Sequence, residues 1–157
     1  SYQTMQSHLK EAWEKRAANL PYKTPYEALI MASIVEKETG LKSERPTIAA
    51  VFTNRLRIGM RLQTDPTIIY GLGTKYRGKI YRSDLDNDTP YNTYTRAGLT
   101  PTPIAMPSRA AIDAVMNPDT SKAIYFVASP KADGSHVFSS TLQEHNSAVA
   151  KYRATEK

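Results

Sequence analysis

Glu36 and Glu38 lie two residues apart in Glu36-Lys37-Glu38, and helical geometry makes them unequal. In residues 26–41, Ile30, Met31, Ile34 and Val35 recur at the three- and four-residue steps of an amphipathic helix, so they mark its core face. At about 100° per residue, Glu38 continues that stripe one turn beyond Ile34 and Val35, whereas Glu36 projects to nearly the opposite side. Glu36 is therefore expected in solvent. Glu38 is expected to be partly desolvated, which disfavours the charged carboxylate and raises its pKa. A general acid working near neutral pH needs that setting. The same placement also suits a structural role, with Glu38 at a helix end stopped by Gly40 and paired with a Lys or Arg.

Three other polar clusters carry residue types fit for binding. Leu62-Gln63-Thr64-Asp65-Pro66 combines a capping Asp65 with Gln63 and Thr64, both able to hydrogen-bond a ligand; helix capping accounts for Asp65 but not for Gln63. Tyr91-Asn92-Thr93-Tyr94 joins two rings that can stack on sugars or bases to an amide that donates and accepts, although a rigid turn after Pro90 uses similar residues. In Glu144-His145-Asn146, periodicity sets Asn146 on the face of Leu142 and Val149, an amide where a hydrophobe is expected. His145 reads as solvated.

Other chemistries lack their parts. The three histidines, His8, His136 and His145, have no HExxH spacing, and there is no cysteine, so neither a metal site nor a cofactor is expected. No GxSxG elbow, P-loop or GxGxxG is present. One buried glutamic acid with aromatic and amide neighbours suits cleavage of a glycosidic bond, in which a protonated carboxyl donates to the leaving oxygen.

The elements that would position these residues are mostly helices. Residues 2 to about 19 carry a narrow stripe of Leu9, Trp13, Ala17 and Leu20; Thr24-Pro25 then starts the Glu38 helix. Ser43 is expected to cap a third helix bearing Ile48, Val51, Phe52 and Leu56 and closing at Gly59. A short helix runs from Thr64-Asp65-Pro66 to Gly71. Residues 71–107 lack periodicity and read as a long functional loop. A helix over 108–116, a buried strand over 123–128, a turn at 132–135, a strand at His136-Val137-Phe138 and a last helix opened by Thr141 and Glu144 complete the chain. The expected class is mainly helical α+β with one small antiparallel hairpin, divided into a lead-in helix (1–20) and one domain (21–157).

The 157 residues, 40% hydrophobic and 23% charged, fit one globular domain. No run is apolar enough to span a bilayer. A net charge of +6 would suit an anionic partner, but the basic residues are scattered, as in Lys75-Tyr76-Arg77-Gly78-Lys79, and nucleic acid is not expected.

Ala32-Ser33-Ile34-Val35-Glu36-Lys37-Glu38-Thr39, then Asn54-Arg55-Leu56, Leu62-Gln63-Thr64-Asp65-Pro66-Thr67 and Tyr91-Asn92-Thr93-Tyr94, in this order, resemble the YceG-like (MltG) family of endolytic murein transglycosylases. The resemblance implies that Glu38, second glutamate of the motif, is the catalytic acid and then base. It implies cleavage of the β-1,4 bond between N-acetylmuramic acid and N-acetylglucosamine without water, leaving 1,6-anhydro ends. Glu38-Thr39, Gln63 and Tyr91-Asn92 are also similar to the set of lytic transglycosylases with a lysozyme-like core. Gln63, Thr64, Asp65, Tyr91, Asn92, Tyr94 and Asn146 are the expected substrate contacts. Thr100 and Met106 stand where the family usually has Pro and Asn. The implied partners are peptidoglycan strands and peptidoglycan synthases. The implied location is the periplasmic face of the bacterial inner membrane, held by an N-terminal helix outside this chain. A lysozyme-type hydrolase and a non-catalytic glycan- or polyanion-binding module are the alternatives.

Overall fold

The computed structural model describes residues 2–38 and 41–155. Its helices are α1 (Tyr2–Glu14), α2 (Pro25–Glu38), α3 (Arg45–Arg57), α4 (Asp65–Leu72), α5 (Arg82–Asp86), α6 (Arg109–Met116) and α7 (Leu142–Ala154). Between α6 and α7, β1 (Tyr125–Ala128) pairs antiparallel with β2 (His136–Ser139), with Tyr125 opposite Ser139 and Ala128 opposite His136. The fold is mainly helical α+β, as the residue pattern led us to expect. Thr39 and Gly40, the expected helix stop, lie outside the described residues.

Helix α2 is the axis of the molecule. Thr24 opens it by accepting the Glu27 N–H on its hydroxyl, and Glu27 returns a carboxylate to the Lys23 N–H. From Ile30 to Val35 every residue is buried, Ala32 and Ser33 included, so the helix is surrounded rather than amphipathic. Ser33 is tolerated there because its hydroxyl donates to the Ile30 carbonyl and accepts the Ile104 N–H. Burying Met31, Ile34 and Val35 is worth roughly 1.5–3 kcal/mol each. Ile48 and Phe52 of α3 and Ile112, Val115 and Met116 of α6 complete the core around it.

Several expected boundaries move, each for a local reason. Helix α1 ends at Glu14, because the Ala17 N–H crosses to the Met116 carbonyl and Asn19 turns with φ 63°. Ser43 is no cap: Lys42–Glu44 is a 3-10 turn and Glu44 holds the N-cap position of α3 without a side-chain cap bond. Helix α4 passes Gly71 and ends at Gly73, φ 57°. Gly71 instead permits close approach, since a Cβ there would lie 3.1 Å from the Tyr91 Cβ. The 71–107 segment is not one loop, because it contains a 3-10 turn (Gly73–Lys75) and α5. Strand β1 is half-buried along its whole length rather than buried. Helix α7 opens with the expected Thr141 and Glu144 capping box.

Candidate active site

Glu38 stands where α2 emerges from the core, and its carboxylate Oε2 accepts a hydrogen bond from Thr64 Oγ1 at 2.5 Å. Among the described residues no Lys or Arg is ion-paired with it. The structural reading of Glu38 as a helix-end ion pair thus finds no partner there. Burial pushes the carboxyl up to about 7; the Thr64 bond and the charges of His136 and Arg55 pull downward, while Asp65 pushes the same way as burial. The C-terminal end of a helix further disfavours a negative charge. At neutral pH this carboxyl is therefore poised between its two forms.

Glu36 does not face solvent as its helical angle suggested. It accepts the Ser108 N–H at 2.7 Å and pairs with Arg45 at 3.4 Å. Burial raises its pKa, but the Ser108 bonds and Arg45 outweigh that and hold it below the usual carboxylate range. One glutamate ties α2 to α6 as an anion, and its neighbour two residues on is kept protonatable.

Thr64 occupies the N-cap position of α4, yet its hydroxyl caps nothing and turns to Glu38. Thr93 holds the backbone beside it: its Oγ1 accepts the Thr64 N–H at 3.0 Å and lies 2.9 Å from Thr67 Oγ1. Asp65 is not the cap. It accepts the Tyr94 hydroxyl at 2.5 Å, and burial together with Asp65 drives the Tyr94 pKa upward, keeping the phenol neutral. Gln63 has φ 52°, the left-handed region that costs a non-glycine residue strain. Its N–H donates to the Thr93 carbonyl at 3.1 Å, and the residue, next in sequence to Thr64, is exposed.

Other predicted residues stand further back. Asn92 is buried with both ends of its amide used. Nδ2 donates to the carbonyls of Asp84 (3.5 Å), Leu85 (3.0 Å) and Asn87 (2.8 Å), and Oδ1 accepts the N–H groups of Tyr94 (2.8 Å) and Thr95 (3.2 Å). Tyr91 bonds Thr102 Oγ1 at 2.8 Å and packs its ring 5.1 Å from that of Tyr70. Asn146 is exposed, so it does not occupy a core face; His145 and Ala148 turn inward instead. His145, read above as solvated, stacks on Tyr125 at 4.9 Å, and burial followed by the Arg55 charge lowers its pKa.

Three residues were missed. Arg55 is buried; Nε donates to the Ile124 carbonyl at 2.8 Å and Nη1 to that of Leu62 at 2.5 Å, so it joins the hairpin to the turn before Thr64. A signal existed, because Arg55 follows Phe52 by three and Val51 by four and so interrupts the apolar face of α3. Glu44 clamps His136, accepting its N–H at 2.9 Å and bonding Nδ1 at 2.8 Å. No local pattern pairs residues 92 positions apart. Among the described residues, no group of three or more His, Asp or Glu could hold a metal ion.

A family model described as YceG-like matches residues 1–151. The chain is 46% identical over 127 residues to the endolytic murein transglycosylase of Bacillus subtilis (strain 168), covering 81% of this chain and 34% of that protein. It is 36% identical over 133 residues to the endolytic murein transglycosylase of Streptococcus pneumoniae (strain ATCC BAA-255 / R6), covering 82% and 24% respectively. A crystal structure of a yceG-like protein from Listeria monocytogenes superposes with a TM-score of 0.75 at 39% identity, over 92% of this chain and 44% of that one. The chain thus spans about a third or less of these two curated relatives.

Proposed function

The chain belongs to the YceG-like family, and from that membership we propose that it is the catalytic part of an endolytic murein transglycosylase acting on peptidoglycan strands. The observation that carries this reading is Glu38, a carboxyl raised to about 7 that, among the described residues, receives the Thr64 hydroxyl and is ion-paired with no Lys or Arg. Such a group can give up a proton at neutral pH and take it back.

Protonated Glu38 delivers its proton to the oxygen bridging N-acetylmuramic acid and N-acetylglucosamine as the bond from that oxygen to C1 breaks. The carboxylate so formed accepts the proton of the muramyl C6 hydroxyl, whose oxygen bonds to C1. Glu38 returns to its acid form, no water is consumed, and the strand ends in a 1,6-anhydro sugar. A second carboxylate activating water has no part in this route. Thr64 holds Glu38 in place and stabilises the carboxylate when it forms. Gln63, Asp65 and Tyr94 line the approach and serve as the sugar contacts, while Tyr91 and Asn92 act by holding the loop that bears Tyr94.

Peptidoglycan lies outside the cytoplasmic membrane, so this reading places the chain at the periplasmic face of the inner membrane or its equivalent, beside the synthases that make nascent strands. Among the described residues no helix is long and apolar enough to cross a membrane. Mass spectrometry of peptidoglycan treated with the protein tests the reaction. Anhydro-muramyl ends are expected. Reducing ends would replace this mechanism with a hydrolytic one, and saturable binding without any product would leave a glycan-binding module.

A further inference from the structure

Arg77 and Lys79 both rest over the ring of Tyr81, Cζ at 4.6 Å and Nζ at 5.0 Å from its centroid. The two cations are thus separated by less than the sum of those distances, inside the ~10 Å Debye length at 0.1 M salt. Gly78, with φ 88°, lets the chain reverse between them. The Tyr81 ring attracts both cations, and the local acids are already engaged. Asp84 accepts the Tyr81 N–H, Asp86 pairs with Arg82, and Asp88 pairs with Arg96. Among the described residues Lys75, Arg77 and Lys79 have no carboxylate partner, and all three are exposed.

This cluster is tied to the active-site loop. Tyr81 is the N-cap of α5, and the carbonyls of Leu85 near its end and of Asn87 just past it are held by Asn92 Nδ2, while Asn92 Oδ1 holds the N–H of Tyr94, whose hydroxyl reaches Asp65. A single amide therefore joins the cation-bearing segment to the residues beside Glu38.

We propose that the Lys75–Tyr81 segment is a carboxylate-binding site for the acidic peptide substituents carried by the glycan strand being cut, with Arg77 and Lys79 held over Tyr81 to grip one carboxylate together. The assignment of the ligand rests on the murein reading above. Guanidinium and ammonium groups pre-placed on a ring lose less freedom on binding than free side chains, and hydrogen bonds from charged donors are the stronger ones.

The test is a binding titration of the Glu38→Gln protein, which removes turnover from the readout, with strand fragments that keep their peptides and with the same fragments stripped of them. Replacing Arg77 and Lys79 together by Ala should weaken binding of peptide-bearing fragments about tenfold or more and leave stripped fragments unchanged. Tyr81→Leu keeps both charges and should still weaken the peptide-bearing fragments. Equal weakening on both ligands, no weakening on either, or an effect of the cations confined to vesicles of anionic phospholipid would overturn the proposal. The proposed reaction fails separately: peptide-dependent binding through Arg77 and Lys79 with no cleavage by the unmodified chain would remove the transglycosylase and keep the site.

Discussion

Thr64 and Glu38 meet through one hydrogen bond of 2.5 Å, formed because the residue at the N-cap position of α4 turns its hydroxyl away from its own helix. A cap left unmade weakens α4 locally by about 1 kcal/mol. What it provides is a hydrogen bond to a carboxyl otherwise pushed toward its neutral form by burial.

That bond favours the carboxylate, so its removal raises the Glu38 pKa further. In Thr64→Val the alkaline limb of kcat/KM, where the acid is lost near pH 7, should move to higher pH. A pH–rate profile on a soluble glycan fragment measures it. A limb that stays in place would mean that Thr64 does not govern the ionisation.

Asp65 acts in the opposite sense. Its negative charge raises the Glu38 pKa, so Asp65→Asn should shift the same limb to lower pH. Because the Tyr94 hydroxyl donates to this carboxylate, Tyr94→Phe offers a control that leaves the charge in place. The two variants should separate charge from hydrogen bonding.

The pKa of Glu38 also sets a stability dependence. The folded value, about 7, exceeds the ordinary 4.5, so the folded protein binds the proton more tightly than the unfolded chain. Its contribution is fully present below pH 4.5 and is lost as pH rises through about 7. At ~1.36 kcal/mol per pKa unit the ceiling is about 3 kcal/mol, reduced by the partial exposure of the group. Thermal denaturation at acidic and alkaline pH should show Glu38→Gln gaining stability over the unmodified protein only at the alkaline end.

Asn92→Ala removes the amide that organises the loop from α5 to Thr95. Several buried backbone groups lose their partners, and a loss of roughly 2–4 kcal/mol is expected in chemical denaturation. Activity should fall with it through the displaced Tyr94. Unchanged stability would contradict the structural role given to this residue.

These variants sort the residues by how visible they are in a linear chain. Glu38 was legible because a single helix carries both the carboxyl and the apolar residues that desolvate it. Thr64 and Asp65 were recognised as a helix start, but the partner of the Thr64 hydroxyl, Glu38, lies 26 residues away and could not be read locally. Glu36 and Asn146 were misplaced for the same kind of reason. Helical angle gives a direction, and the elements packed in that direction, Arg45 with Ser108 in one case and open solvent in the other, decide what the side chain meets. The clamp of Glu44 on His136 depends wholly on tertiary folding.

The most direct test of the account is the turnover of peptidoglycan by Glu38→Gln beside the unmodified chain, with circular dichroism verifying the fold of each. The account predicts a folded variant that still binds glycan strands and yields no anhydro-muramyl ends, a loss of at least ~10²-fold as expected for removing a general acid. A Glu38→Gln protein that forms those ends at a comparable rate would contradict it.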